Sequence, residues 1–150
     1  MKNNKNAFTM IELVFVIVVL GILSAVAIPR FAATRTDAEI TKGRADIASV
    51  RSAIITERQS RLITGDSKFI EAGTATDQLD DGGLFGGVLT YPITAKNSSG
   101  HWHTRATVVD KNTSTVKYKV AETDVTFTYT RSNGVFTCVR DDTYCKDLID

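Results

Sequence analysis

The run Phe8-Thr-Met-Ile-Glu-Leu-Val-Phe-Val-Ile-Val-Val-Leu-Gly-Ile-Leu-Ser-Ala-Val-Ala-Ile28 carries one charge, Glu12, in an otherwise strongly apolar stretch. Its length of about 21 residues spans roughly 30 Å as a helix, enough to cross a bilayer's hydrocarbon core. A carboxylate at mid-membrane costs about 2.5–3.5 kcal/mol on insertion scales, so it implies a function and a cationic partner at the same depth. No Lys, Arg or His lies between Ala7 and Arg30. The candidate partner is therefore an α-amine, of this chain or of a neighbour. Such an amine exists at that depth only if the chain is cut just before Phe8.

The flank agrees with a cut. Met1-Lys2-Asn-Asn-Lys5-Asn-Ala7 is short, polar and basic and ends on a small residue. Lys2 and Lys5 predict cytoplasmic retention of this segment by the positive-inside bias, as in a targeting leader. The competing leader reading is an ordinary signal peptide cut after Ala25-Val26-Ala27, which would yield a secreted binding domain starting at Ile28 and discard Glu12.

Ala7-Phe8-Thr9-Met10-Ile11-Glu12, the apolar run and Ile28-Pro29 resemble the N-terminus of type IV prepilins and type II secretion pseudopilins. The resemblance covers about the first quarter of the chain. It implies that a prepilin peptidase cuts between Ala7 and Phe8 and that Phe8 is N-methylated. It implies that Glu12 neutralises an adjacent subunit's terminal amine during assembly, and that Pro29 bends the helix where it leaves the membrane. The family mostly has Gly before the cut. Ala7 is the mildest departure from it, and cleavage is expected. The implied partners are other pilins or pseudopilins, in a homo- or hetero-polymer, and an inner-membrane assembly platform driven by a cytoplasmic ATPase. The implied location is the bacterial inner membrane, single-pass with a periplasmic C-terminus, and then a pilus or periplasmic pseudopilus.

Beyond Pro29 a helix is predicted to continue over 30–64. Ile40, Gly43, Ile47, Val50 and Ile54 recur at three- and four-residue spacing and mark one apolar face. Arg30, Asp37, Arg44, Arg51 and Arg58 follow at seven-residue steps on another face, read as solvated, with a subunit contact as the sharper alternative. On that alternative Arg44→Glu or Arg51→Glu weakens filament assembly without unfolding the monomer. Glu57 and Arg61 are spaced for an i,i+4 pair. Thr64-Gly65-Asp66 should stop the helix. Residues 65–104 read as a variable loop, rich in glycine between 73 and 100, which Leu84-Phe85 and Val88-Leu89 pin to the core. Gly82-Gly83 and Gly86-Gly87 lack the Lys-Ser/Thr of a phosphate loop.

From Arg105 the period becomes two. Ala106–Val109 is a predicted strand; Val116, Tyr118 and Val120 alternate with lysines, and Val125, Phe127 and Tyr129 with threonines. Phe136 and Cys138 continue a last strand after the hairpin signal Asn133-Gly134. Lys111–Ser114 and Glu122–Asp124 read as turns. The predicted fold is α+β, one long helix laid across a four-stranded antiparallel sheet, the type IV pilin-like architecture. The predicted divisions are a leader, 1–7; an assembly helix, 8–29; and a periplasmic head, 30–150, with sheet and tail at 105–150.

Cys138 and Cys145 are the only cysteines. In an oxidising periplasm a disulfide is the natural reading, closing a short loop worth roughly 2–3 kcal/mol and pinning the tail. His101 and His103 flank Trp102 and supply only two possible metal ligands, so a loop with a packed or exposed Trp is favoured. The resemblance offers calcium binding for Asp80-Asp81 and Asp141-Asp142 with Asp147, but without EF-hand spacing they read as solvated charge. No nucleophile elbow or triad is evident, so neither an enzyme nor a cofactor is expected. Loss of Lys2 and Lys5 takes the 18 basic and 17 acidic residues to 16 against 17. That balance offers no general attraction to nucleic acid.

Overall fold

A computed structural model describes residues 8–70, 83–108 and 112–150. The leader, the pairs Gly73 and Gly82 with Asp80-Asp81, and Val109 lie outside the described residues. Two compact units divide the chain at Arg35 and Thr36.

Helix α1 runs Met10–Ile63 with Pro29 inside it, the one long helix expected. It stops as predicted, through Gly65. Gly65 takes φ 89°, and its N–H bonds the Leu62 carbonyl at 3.1 Å while Asp66 N–H bonds the Arg61 carbonyl at 2.9 Å. This paired closure satisfies carbonyls that the helix end would otherwise leave bare.

In the second unit, β1 (His101–Val108), β2 (Thr113–Val120), β3 (Thr123–Thr130) and β4 (Val135–Cys138) form one antiparallel sheet in the order β1-β2-β3-β4. Strand alternation sets its inner face. Val116, Tyr118, Val120, Val125, Phe127, Tyr129, Phe136 and Cys138 are buried, and they meet Ile47, Val50 and Ile54 of α1. Gly43 belongs to the same helical face because nothing larger fits there. A Cβ on it would stand 2.6 Å from Leu148 and 2.7 Å from the Tyr118 ring. A five-residue helix, α2 (Cys145–Ile149), supplies that Leu148.

Three expectations need correction. First, β1 begins at His101 rather than Ala106, and Trp102 is fully buried at the centre of the core, not in a loop. Its ring lies 5.2 Å from Phe85, 4.9 Å from Tyr118 and 5.3 Å from Phe127, and its Nε1–H donates to Asp46 on α1 at 3.1 Å. Register shifts on either side of Thr104 break the simple alternation that would have marked the strand. Second, Ser114 lies in β2 and is buried, not in a turn. Third, the arginine stripe is not merely solvated. Arg44 donates to the Asp147 carbonyl, Arg51 donates to the Phe136 carbonyl at 2.9 Å, and the Arg58 guanidinium lies 4.1 Å from the Phe69 ring centre. Arg51→Glu is therefore expected to loosen β4 in the monomer as well as to affect any assembly.

The β2–β3 hairpin turns on Ala121 and Glu122, at φ 45° and 67°, a left-handed pair that usually calls for Asn-Gly. Neighbouring groups hold it. The buried Glu39 carboxylate accepts the Ala121 N–H at 2.9 Å. The Ser99 hydroxyl accepts the Glu122 N–H at 3.0 Å and donates to the Glu122 carboxylate at 2.9 Å. Replacing the pair by Asn-Gly is expected to raise stability by about 1 kcal/mol, since left-handed non-glycine residues cost of that order. A thermal melt without any gain would show that the side-chain contacts outweigh the strain.

The 83–100 segment is anchored as expected. Leu84 and Phe85 are buried, Val88 and Leu89 pack against the core, and Leu84 bridges to Ile93.

Candidate functional site

The N-terminal unit is built around Thr9 and Glu12. Thr9 precedes the first helical residue, and Glu12 stands three positions later. The Glu12 carboxylate accepts the Thr9 N–H at 2.8 Å and the Thr9 hydroxyl at 2.7 Å, while Glu12 N–H donates to the Thr9 hydroxyl at 3.3 Å. This is a capping box: each residue satisfies a backbone donor that the helix start would leave unpaired. Its sequence signature is Thr-x-x-Glu ahead of an apolar run, a signal distinct from the isolated charge that marks Glu12. Glu12 thus has a local role inside one chain in addition to any role between chains.

Around it the surface is apolar. Phe8 is 86% exposed, and Ile11, Val14, Phe15 and Val18 surround a hollow of about 450 Å³ beside Glu12. The helix contains an eighteen-residue window of mean hydropathy 2.9, none of it buried within the chain. By length and composition this part of the helix is able to cross a membrane. Ala7, the other half of the expected cleavage site, lies outside the described residues. Pro29 lacks the N–H that would bond the Ala25 carbonyl, and α1 continues past it.

In the second unit Cys138 and Cys145 are joined, with Cα atoms 5.9 Å apart and no free cysteine in the chain. The bridge ties the end of β4 to α2. The two imidazoles are held apart by their partners. His101 Nδ1 lies 3.1 Å from the Ser98 hydroxyl and 3.0 Å from the Ser99 carbonyl, whereas His103 Nε2 lies 2.9 Å from Asp124. Among the described residues no group of three or more His, Cys, Asp or Glu converges on a common point.

Asp46 is half-buried under Trp102, and burial pushes its carboxyl above the usual aspartate range. The Trp102 N–H, Lys42 and His101 offset only part of that cost. A raised folded value means that the native state binds this proton more readily than the unfolded chain. Stability from this group is present at low pH and is lost as pH rises through the window above an ordinary aspartate. Asp46→Asn keeps an acceptor for Trp102 and is expected to be more stable than the parent at pH 7. That advantage should shrink as pH falls toward about 4, where an ordinary aspartate protonates. Denaturant melts of both proteins across that range test it; a constant difference would remove Asp46 ionisation as the cause.

An apolar helix that opens on a Thr9–Glu12 box fits a membrane-anchored subunit, and the second unit is a disulfide-closed α+β unit. Residues 2–28 match the prokaryotic N-terminal methylation motif, the prepilin-type signal of type IV pilins and pseudopilins. That signal supports a type IV pilin- or pseudopilin-like subunit and implies processing by a prepilin peptidase and polymerisation with pilins. No curated protein and no solved structure matches the chain.

Proposed function

We propose that the chain is a structural subunit of a type IV filament, a minor pilin, with no catalytic role of its own. The observation that carries this reading is Glu12, the one charge in the exposed apolar run 8–28 that also bears the prepilin-type signal. Cleavage between Ala7 and Phe8 creates the amine, methylation of Phe8 retains its charge, and Glu12 of a neighbouring subunit pairs with it within the apolar packing. A desolvated pair of this kind fixes register, because any other offset leaves two buried charges unmatched. Pro29 marks where the helix leaves the bilayer. Extraction from the membrane draws on a separate platform and cytoplasmic ATPase. The disulfide-closed tail favours a pilus over a secretion pseudopilus.

The intact mass and N-terminal residue of the protein from native membranes test the reading. A chain beginning at N-methyl-Phe8 supports it. A chain beginning at Ile28 discards Glu12 and ends it. The compact four-stranded unit also suits a type II secretion or competence pseudopilin. Deletion that abolishes exoprotein secretion or transformation, while pili persist, would select that reading.

A further inference from the structure

The three arginines Arg44, Arg51 and Arg58 mark levels along the outer half of α1, with a cationic cleft at the Arg58 level and an aspartate-bearing loop near the Arg44 level. Arg44 and Arg58 are fourteen positions apart, about 21 Å of helix. At the Arg58 level lies a cleft of about 510 Å³ lined by Arg58, Lys68 and Arg131, with the Ser67 and Ser132 hydroxyls. Among the described residues no carboxylate lines it. Asp66, next in sequence, is turned to its own segment, where its Oδ1 accepts the Lys68 N–H at 3.0 Å. Arg58 is held in place by the Phe69 ring rather than by an acid. Arg131 has an intramolecular contact of its own, so Arg58 and Lys68 are the cations that matter here.

At the Arg44 end, β4 leaves the sheet two residues beyond the Phe136 carbonyl that Arg51 holds, and α2 is met by Arg44. Between them the disulfide closes the loop Val139–Tyr144, which displays Asp141 and Asp142. Both are exposed, and neither carboxylate has a partner among the described residues. The neighbouring Arg140 is committed to Asp150 at 2.9 Å.

We propose that the Asp141-Asp142 loop of one copy docks in the Arg58–Lys68 cleft of the next. The proposal rests on the filament reading. A cationic patch and an anionic patch on different surfaces of one chain make a heterologous contact, and such a contact propagates instead of closing on itself. The disulfide has already removed most of the loop's freedom, which lowers the ordering cost of docking. Charged groups at such a rim set register and partner choice more than total affinity, and salt weakens them. The apolar helices hold the polymer together, and this contact selects the offset between heads.

The test uses charge reversal in the full chain, assembled in its native host. Lys68→Glu and Asp142→Lys are each expected to cut the yield of sheared filaments at least fivefold and to flatten its fall with salt. Lys68→Glu combined with Asp142→Lys is expected to restore most of that yield. Single variants that assemble like the parent, or a combination no better than the worse single, overturn the docking. So does a cleft that binds inorganic phosphate in the detergent-solubilised chain and loses it in Lys68→Glu while filaments form normally. Filaments from the parent with no effect of the charge swaps leave the filament reading standing and remove only this contact. Absence of any filament from the parent removes both.

Discussion

Glu12→Gln is expected to be processed, to keep its helix start and to fail in assembly. The substitution separates the two things Glu12 does. A glutamine side chain still accepts from Thr9, so the capping box survives, because Gln serves at this position as well as Glu. What it loses is the charge. If Glu12 pairs with a neighbour's Phe8 amine inside the apolar packing, the neutral variant leaves that ammonium without a counter-charge. Removing one partner of a desolvated pair costs about 2–5 kcal/mol, a drop in assembly of well over tenfold. Thr9→Ala makes the complementary change. It removes the hydroxyl that bonds Glu12 at 2.7 Å and leaves the charge, so it should cost about 1 kcal/mol of helix stability and still assemble. The readouts are membrane-extracted mass, for processing, and sheared filament yield, for assembly. Normal filaments from Glu12→Gln together with weak ones from Thr9→Ala would reverse the assignment and make Glu12 a capping residue alone.

The residues that the sequence made legible are those whose role follows from a period or from an isolated charge. Glu12 stands out because nothing near it is charged, and the inner face of β2 and β3 stands out because valine and aromatic residues alternate with lysine and threonine. The helix stop at Gly65 and the turn at Asn133-Gly134 are likewise local chemistry. What escaped the sequence depends on groups distant along the chain. Ala121 and Glu122 have no intrinsic liking for positive φ; Glu39 and Ser99 hold them there. Trp102 sits between two histidines in a strand whose ladder is irregular, so neither polarity nor period marks it as core. The arginines at seven-residue steps look like a water-facing stripe until β4, α2 and Phe69 are brought against them. The prepilin-type motif ends at residue 28, so the second unit had to be read from its own pattern.

Trp102→Ala is expected to be the most damaging single change in the second unit, costing about 3–5 kcal/mol. The ring is fully buried and touches aromatic neighbours from the 83–100 segment, β2, β3 and β4. Removing it opens a cavity at the one point where those elements meet, and stiff aromatic rings are poor at collapsing into such a space. It also strips Asp46 of its indole donor, leaving a half-buried carboxylate less well satisfied. With total stabilities of about 5–15 kcal/mol, a loss of this size brings the unit close to unfolding at growth temperature. Trp102→Phe isolates the two contributions. It refills most of the volume and still lacks the N–H, so it should cost distinctly less than alanine. In that background Asp46→Asn should help more than it does in the parent, because the carboxylate has lost its donor. Circular-dichroism melts of the detergent-solubilised full chain measure the parent and all four variants. They are needed because Trp102 is the sole tryptophan and its own fluorescence disappears with it. A loss below about 1 kcal/mol for Trp102→Ala, within the range of an ordinary surface change, would mean that the core closes without this ring, and that Phe85, Phe127 and Phe136 suffice to join the sheet to the segments above it.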